Sequence, residues 1–284
     1  MLVKIRSSLR TLSTVLFLAA VTACSPDSGG QAVAAGPCRP SSSGSDITVA
    51  TYNIHAGVGR HGTRDLKRIA EALEGADVVG LQEVDNGRVR SGFENQVRTL
   101  AVTLQHRYWQ HFTAEDYWLL GTYGVAATSS LPVVASGGFD LPVIAGKPMR
   151  RLAWIKVLLD CRPIHVFIIH ATRVDDSMAS EQASQIETAW RILSEQSDVL
   201  REPVVLLGDF NADSGSPVMR WLRARMIDVI ESQVPERSAS VPLDHVFLKG
   251  DLEIVRVEVR DSDASDHPAV VATLRWKENA AAGR

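Results

Sequence analysis

The sequence predicts a mixed α/β fold with a large share of antiparallel sheet. Three observations carry this. Residues 47–54 and 77–84 are apolar runs of strand length, with a segment of helical period between them. Four short apolar runs then follow one another, at 125–128, 133–139, 152–159 and 164–169, with turn chemistry at Pro132, Gly137-Gly138 and Arg162-Pro163. Strands in succession without a helix between them pair antiparallel, because a parallel pair needs a long crossover.

The chain has 284 residues, 45% hydrophobic and 22% charged, enough for one large domain with a sizeable core or two small ones. Lys4, Arg6 and Arg10 precede an apolar run, 15–21. That run is too short to span a bilayer as a permanent helix and reads as the core of a secretory signal. It ends in Val21-Thr22-Ala23-Cys24, which resembles a bacterial lipobox, where the cysteine becomes the lipidated first residue. An ordinary signal peptide with an incidental cysteine is the alternative. Residues 1–23 are therefore expected to be a lipoprotein signal peptide. Residues 24–46, rich in Ser, Gly, Pro and Ala, are expected to be a flexible tether. The folded domain is expected over 47–277 and a disordered tail over 278–284. The mature chain would be a monomer held at the bacterial cell envelope by a lipid on Cys24. Loss of the three N-terminal cations takes the formal net charge from −3 to about −6. There is no basic block, so strong nonspecific binding to nucleic acid gains no support. Cys38 and Cys161 remain in the body. Export to an oxidising compartment makes a disulfide between them an expectation, stapling the tether to a turn at 160–163; two free thiols are the alternative.

Along the domain, 63–73 carries apolar residues at Leu66, Ile69, Ala70 and Leu73 and predicts a helix. Further helices are expected over 93–105, 178–193 and 217–223. Residues 204–207, 246–248, 252–259 and 269–276 complete the strands. Gly57-Val58-Gly59-Arg60-His61-Gly62 spells GxGxxG between a strand and a helix, with Glu83 and Asp85 after the next strand. Locally this matches a dinucleotide-binding fingerprint. The hairpins that follow it are not repeated βαβ units, so the glycines are read as a strand-to-helix loop and an oxidoreductase reading ranks low.

Polar clusters recur where the apolar strands end: Tyr52-Asn53, Gln82-Glu83, His170, Asp209-Asn211, Asp244 and Ser265-Asp266-His267. Any one alone is more simply a satisfied polar residue or a turn. Six together suggest one site along one edge of the sheets. If the strand at 204–207 continued through Asp209 and Asn211, their side chains would share a face.

The order Thr51-Tyr52-Asn53, Leu81-Gln82-Glu83-Val84-Asp85, Ile169-His170, Gly208-Asp209-Phe210-Asn211, Leu243-Asp244 and Ser265-Asp266-His267 resembles the endonuclease/exonuclease/phosphatase superfamily. The resemblance runs from about residue 47 to 276. It implies a four-layer α/β sandwich, two packed mixed sheets flanked by helices. It also implies a metal-dependent phosphoester hydrolase. Glu83, a hard oxygen donor, would be the main ligand of Mg²⁺ or Mn²⁺, with Asn53 beside it and Asp266 as a further metal or water contact. Asp209 would orient or deprotonate the attacking water, and Asn211 would donate to a phosphoryl oxygen. His267, oriented by Asp244, and His170 would act on the phosphate, with Arg150 or Arg151 as a further phosphate contact.

Two departures from relatives stand out. Near the first hairpin, Tyr123-Gly124-Val125-Ala126 replaces Tyr-Gly-Asn-Ala and Ser129-Ser130-Leu131-Pro132 replaces Ser-Arg-x-Pro, removing an amide and a guanidinium, and Ile169-His170-Ala171 stands where Thr-His-Leu is usual. The substrate met at the envelope is expected to be nucleic acid, a lipid head group or a small organic phosphate. A non-catalytic envelope lipoprotein that retains the fold for binding is the alternative. Trp109, Tyr117 and Trp118 could form an aromatic edge for lipid or bases, with core packing the expected use.

Overall fold

The computed structural model describes residues 45–144, 146–173, 179–233 and 243–278. Cys24, Cys38, the signal and nearly all of the tether lie outside these residues. Strand β1 spans Asp46–Asn53, β2 Val78–Asn86, β3 Tyr108–Asp116, β4 Thr122–Ser129, β5 Val133–Leu141 and β6 Arg150–Leu159. Then come β7 Arg162–His170, β8 Val204–Asp209, β9 Ile227–Asp228, β10 Asp244–Lys249, β11 Leu252–Arg260 and β12 Ala269–Trp276. The helices are α1 Leu66–Ala72, α2 Gln96–Thr103, α3 Ala179–Leu200, α4 Pro217–Arg223 and α5 Val229–Gln233.

The strands form two six-stranded sheets, in the orders β11-β12-β1-β2-β4-β3 and β5-β6-β7-β8-β10-β9. Each sheet has one parallel pair at its centre, β1 with β2 and β7 with β8, and antiparallel pairs on either side. The sequence carries no repeat to match this shared pattern. The inner faces pack against each other through side chains such as Val49, Val78, Ile155, Ile168 and Leu207. The outer face of the first sheet covers α1 and α2 through Tyr52, Leu81, Ile69 and Leu100. That of the second covers α3 and α4 through Phe167, Leu206, Ile186 and Met219. A central strand buried on both faces reads as a continuous apolar run, which is why β1, β2 and β8 stand out in the sequence. The layer order is α/β/β/α, the sandwich that the resemblance implies.

Caps explain where the helices differ from expectation. Asp65 accepts hydrogen bonds from the N–H groups of Lys67 and Arg68, so α1 starts at Leu66 and not at 63. Asn95 caps α2 in the same way, from Arg98 N–H at 3.0 Å. Strand β3 escaped the sequence reading because Gln110, His111, Thr113 and Glu115 interrupt its apolar residues; it is an edge strand. The glycine-rich stretch after β1 commits its backbone N–H groups to protein carbonyls. Gly57 donates to Ile54, Gly59 to Thr63, Arg60 to Asp263 and Gly62 to Gly59, so the donors a pyrophosphate would need are taken.

Asp160 and Cys161 both have positive φ, +50° and +64°, the two-residue turn that suits the twist of the β6–β7 hairpin. Cys161 is disulfide-bonded, so it is not a free thiol. Among the described residues no helix is long and apolar enough to cross a membrane.

Candidate functional site

The polar ends of the central strands converge, and the two sheets contribute different halves. Asn53 ends β1 and is 1% exposed. Its Nδ2 donates to Glu83 Oε1 at 3.1 Å, within its own sheet, and to Asp209 Oδ2 at 3.0 Å, across to the other. The Asn53 Oδ1 accepts the N–H of His55 at 3.1 Å, which fixes the amide's orientation. Glu83 lies at an irregularity in the β2–β4 ladder, between Leu81 and Val84, and has φ +57°. The bulge re-aims its carboxylate toward the site. Its side chain keeps 26% exposure.

Asp209 is fully buried at the end of β8. The strand does not continue to Asn211, which has φ +48°. The two residues meet instead through a turn: Asn211 N–H donates to Asp209 Oδ1 at 2.7 Å, and Asn211 Nδ2 to Asp209 Oδ2 at 3.2 Å. Asn211 Nδ2 also donates to the Ala171 carbonyl at 3.0 Å, and its own carbonyl accepts from Gln182 Nε2 at 2.6 Å. Both amide hydrogens are thus engaged, and a phosphoryl oxygen would have to displace the longer bond to Asp209.

Two histidines stand over Asp209. His170 ends β7, with Nε2 3.7 Å from Asp209 Oδ2 and 3.9 Å from Glu83 Oε1. Arg150 Nη1 lies 3.3 Å from His170 Nδ1. An arginine only donates, so Nδ1 accepts and the neutral ring carries its proton on Nε2, facing the carboxylates. Burial, then the charges of Arg150 and His267, hold the His170 pKa well below the usual imidazole range. His267 Nδ1 is 2.6 Å from Asp244 Oδ2, and its Nε2 is 3.9 Å from Asp209 Oδ2. Burial opposes the charged ring, but the Asp244 hydrogen bond and the carboxylates of Asp244, Asp209 and Asp266 lift the His267 pKa to about 9. Asp244 faces Asp209 across the β8–β10 ladder. Burial and the charge of Asp244 raise the Asp209 pKa to about 7. Burial likewise raises that of Asp244.

Asp266 sits at the rim with a 57% exposed side chain, 3.6 Å from His55 Nδ1. Its neighbour Ser265 locks the loop to β1, donating from Oγ to the Asn53 carbonyl at 2.6 Å. Of the two arginines, Arg150 joins the site. Arg151 donates to the Thr113 carbonyl at 2.9 Å and lies 3.8 Å from Asp140. Tyr123, two residues before Val125 and carrying no site signal of its own in the sequence, also belongs here. Burial first, then the Glu83 carboxylate, push its hydroxyl pKa upward, so it is a neutral donor near Glu83 and Arg150. Arg90 extends the group outward, pairing with Asp85 at 2.8 Å and lying 5.4 Å from the Tyr123 ring centroid.

The donor set fits a hard divalent cation. Asp209, Asp244 and His267 offer ligand atoms within 4.8 Å of one another, although the short Asp244–His267 bond already occupies two of those groups. Glu83 is the more open carboxylate. Asp244 Oδ1 is buried without a hydrogen-bond partner. Two buried carboxylates facing each other, with raised pKa values, are negative charge that a cation would relieve.

An α/β sandwich that gathers carboxylates, carboxamides and imidazoles at one edge of both sheets has the make-up of a hydrolytic site. Residues 50–267 match the Endonuclease/Exonuclease/phosphatase family, and the chain belongs to it. Members of this family are typically metal-dependent phosphoesterases. Among solved structures, an endonuclease/exonuclease/phosphatase from Beutenbergia cavernae is similar at 24% identity and TM-score 0.65, over 82% of this chain and 72% of that one. The catalytic domain of human Nocturnin, with bound sulfate, is similar at 18% identity and TM-score 0.66, over 82% and 94%. The mannosyl-6-phosphatase Bt3783 of Bacteroides thetaiotaomicron is similar at 16% identity and TM-score 0.62, over 80% and 99%. At these identities the likeness is one of fold. No curated protein matches the sequence.

Proposed function

We propose that the protein is a Mg²⁺- or Mn²⁺-dependent phosphoesterase that hydrolyses a phosphodiester or phosphomonoester with an activated water. The observation that carries this reading is the grip on Asp209. It is held by Asn53 from one sheet and by the Asn211 turn from the other, beneath two imidazole Nε2 atoms. With a pKa of about 7, the Asp209 carboxylate is matched to taking a proton from water near neutrality. His267, protonated at that pH, would place positive charge and an N–H on a phosphoryl oxygen while Asp244 holds its other nitrogen. Neutral His170 would offer its Nε2–H, with the Arg150 charge behind it. Glu83 would hold the cation, with Asp266 contributing from the rim. Asn53, expected beside the metal as a ligand, instead turns its Nδ2 to Glu83 and Asp209 and gives its oxygen to His55, so its role here is to position the two carboxylates. The cation supplies Lewis-acid neutralisation of the phosphoryl oxygens.

The Bacteroides mannosyl-6-phosphatase and the sulfate-bound Nocturnin domain support phosphate-like anions as ligands of this fold. The lipobox at Cys24 supports anchoring to the bacterial envelope. The test is hydrolysis of bis-p-nitrophenyl phosphate and a panel of phosphomonoesters with Mg²⁺ or with EDTA. Turnover with Mg²⁺ that EDTA and Glu83→Ala abolish is expected. No turnover on any ester, or a Glu83→Ala chain as active as wild type, would sink the enzyme reading. In the same cells, Cys24→Ser is expected to release the protein from membranes, and unchanged membrane association would remove the lipid anchor.

A further inference from the structure

The loop after β2 and the end of the β3–β4 hairpin meet beside the site. A Cβ on Gly121 would lie 2.6 Å from Arg88 N, so only glycine lets the two backbones come this close. The Arg88 guanidinium lies 3.3 Å above the Tyr117 ring. Between them, the loops expose five large apolar side chains: Val89 at 52%, Phe93 at 67%, Trp118 at 84%, Leu119 at 75% and Leu120 at 55%. Single exposed apolar residues are ordinary, but a contiguous group marks an interaction surface. Core packing was the expected use of Trp118. Its exposure reverses that, whereas Trp109 does pack against the α1–α2 side of the core.

The exposure is built in. Trp118 has φ +58°, a conformation that bulky residues avoid. It is held there by its N–H to Asp116 Oδ1 at 2.7 Å and by Leu120 N–H to the Tyr117 carbonyl at 3.1 Å. The nearby acids are engaged locally: Asp116 by the Trp118 N–H, Glu115 by the Tyr117 hydroxyl, Glu94 by the Thr99 hydroxyl and Asp85 by Arg90, which leaves Arg88 and Arg64 as the cations not paired to a carboxylate in this group. The knob is fringed with cations. Arg88 and Arg90 flank Val89, and Arg64 Nη1 donates to the Arg90 carbonyl at 2.7 Å. Apolar tips among arginines match an anionic bilayer, with the tips in the acyl boundary and guanidinium groups at the lipid phosphates. The knob adjoins the catalytic opening through Arg90 and Tyr123. Met149, one residue before Arg150, is a further exposed apolar side chain at 38%.

We propose that this rim is a membrane-docking surface that seats the site on an anionic phospholipid bilayer, and that the phosphoester taken there is that of a lipid head group. The second half rests on the phosphoesterase reading; the first does not. β1 runs from Asp46 toward the site, so the chain before it enters at the opposite end of the sheet. Cys161 is disulfide-bonded and Cys24 would carry the lipid, which leaves Cys38 as the partner among the chain's three cysteines. The free tether is then the 15 residues from Cys24 to Cys38, about 50 Å when extended against roughly 26 Å for the eight residues of β1, enough for the rim to swing down to the membrane that holds a lipid at Cys24.

The test uses the full chain with Cys24→Ser, so that no lipid is attached, alone and with Trp118→Ser, Leu119→Ser and Leu120→Ser together. Val89→Ser with Phe93→Ser, on the other loop, provides a second variant should the first not fold. Amide hydrogen exchange is followed with phosphatidylglycerol/phosphatidylcholine vesicles and, separately, with a single-stranded DNA oligonucleotide. Vesicles are expected to slow exchange at 117–121 and 88–93. The knob variants are expected to bind vesicles at least about tenfold more weakly while turning over soluble bis-p-nitrophenyl phosphate at the parent rate. Protection with no turnover on any phosphoester, soluble or in vesicles, upholds docking and removes the head-group substrate. Unprotected loops, equal vesicle affinity in a folded knob variant, or protection by the oligonucleotide instead of vesicles overturns the docking surface.

Discussion

Gly208 is the position where one methyl group should cost most. It precedes Asp209 in β8, pairs with Ile169 of β7 on one side and His245 of β10 on the other, and has φ +147°. A Cβ there would stand 2.8 Å from the Ile169 carbonyl carbon and 2.9 Å from its Cγ2, and closer still to the carbonyl oxygen. The obstacle is backbone, so relief requires opening the β7–β8 ladder. Forcing an L side chain into this φ costs about 1–3 kcal/mol. Overpacking a filled interior adds about 1–3 kcal/mol. Gly208→Ala is therefore expected to lose about 4 kcal/mol, a large part of a typical domain's stability. The next ladder pair is His170 with Asp209, and Ala171 N–H donates to the Asp209 carbonyl at 2.9 Å. A displaced β8 carries Asp209 away from Asn53, and, for the base proposed there, a misplacement near 1 Å costs on the order of 100-fold in turnover. Urea unfolding gives the first number and bis-p-nitrophenyl phosphate kinetics the second. Gly62→Ala is the control: φ is also positive, +73°, but nothing lies within 4 Å of the added Cβ, so about 1 kcal/mol is expected. A Gly208→Ala chain within about 1 kcal/mol of wild type and fully active would refute this reasoning.

Two further expectations concern buried charge. Asp244→Asn removes the carboxylate that helps to lift the His267 pKa to about 9. The imidazolium is then lost at lower pH, so the alkaline limb of kcat/KM should move down by about one unit or more, with turnover falling about 100-fold or more; an unmoved limb counts against the pair. Asp228 is buried, accepting from Arg223 Nε at 2.9 Å and lying 3.1 Å from His245 Nδ1. Burial raises its pKa, but the bonds and charges of His245 and Arg223 outweigh it and hold the carboxyl below 3.8. That stabilisation is fully present above pH 3.8 and is lost as pH falls through the lower folded value. Asp228→Asn should cost about 3–5 kcal/mol at pH 7 and flatten the acid limb of the stability profile. A loss under about 1 kcal/mol in urea would show that the pair matters little.

What the sequence revealed depended on burial. β1, β2, β7 and β8 lie under helices on one face and the partner sheet on the other, so they appear as mostly apolar runs, with Thr48, Thr51 and His165 the interruptions in β1 and β7, ending in polar residues. Those ends are where Asn53, His170 and Asp209 stand. β3 and β9 lie at sheet edges, where one side needs no apolar cover, and their patterns were too mixed to read. The details of the site were harder still. Glu83 reaches it through a bulge with positive φ, a register event without a residue signature. Asp209 and Asn211 meet by a turn, although spacing two apart suggested a shared strand face. Arg150 and Arg151 are equivalent in sequence, and only the position of Thr113 on the neighbouring sheet separates them. Tyr123 enters because β4 pairs with β2 close to Glu83, a contact between segments forty residues apart.

The pairing of β1 with β12 also governs when the molecule becomes whole. The first strand waits with one edge open until the last has been synthesised, and such distant pairings are slow to close. The turn leading into β12 brings His267, and Ser265 fastens it to the Asn53 carbonyl. A nascent chain that has already placed Glu83 and Asp209 thus still lacks its imidazolium. The role proposed for His267 therefore depends on the pairing of β12 with β1, two segments more than two hundred residues apart.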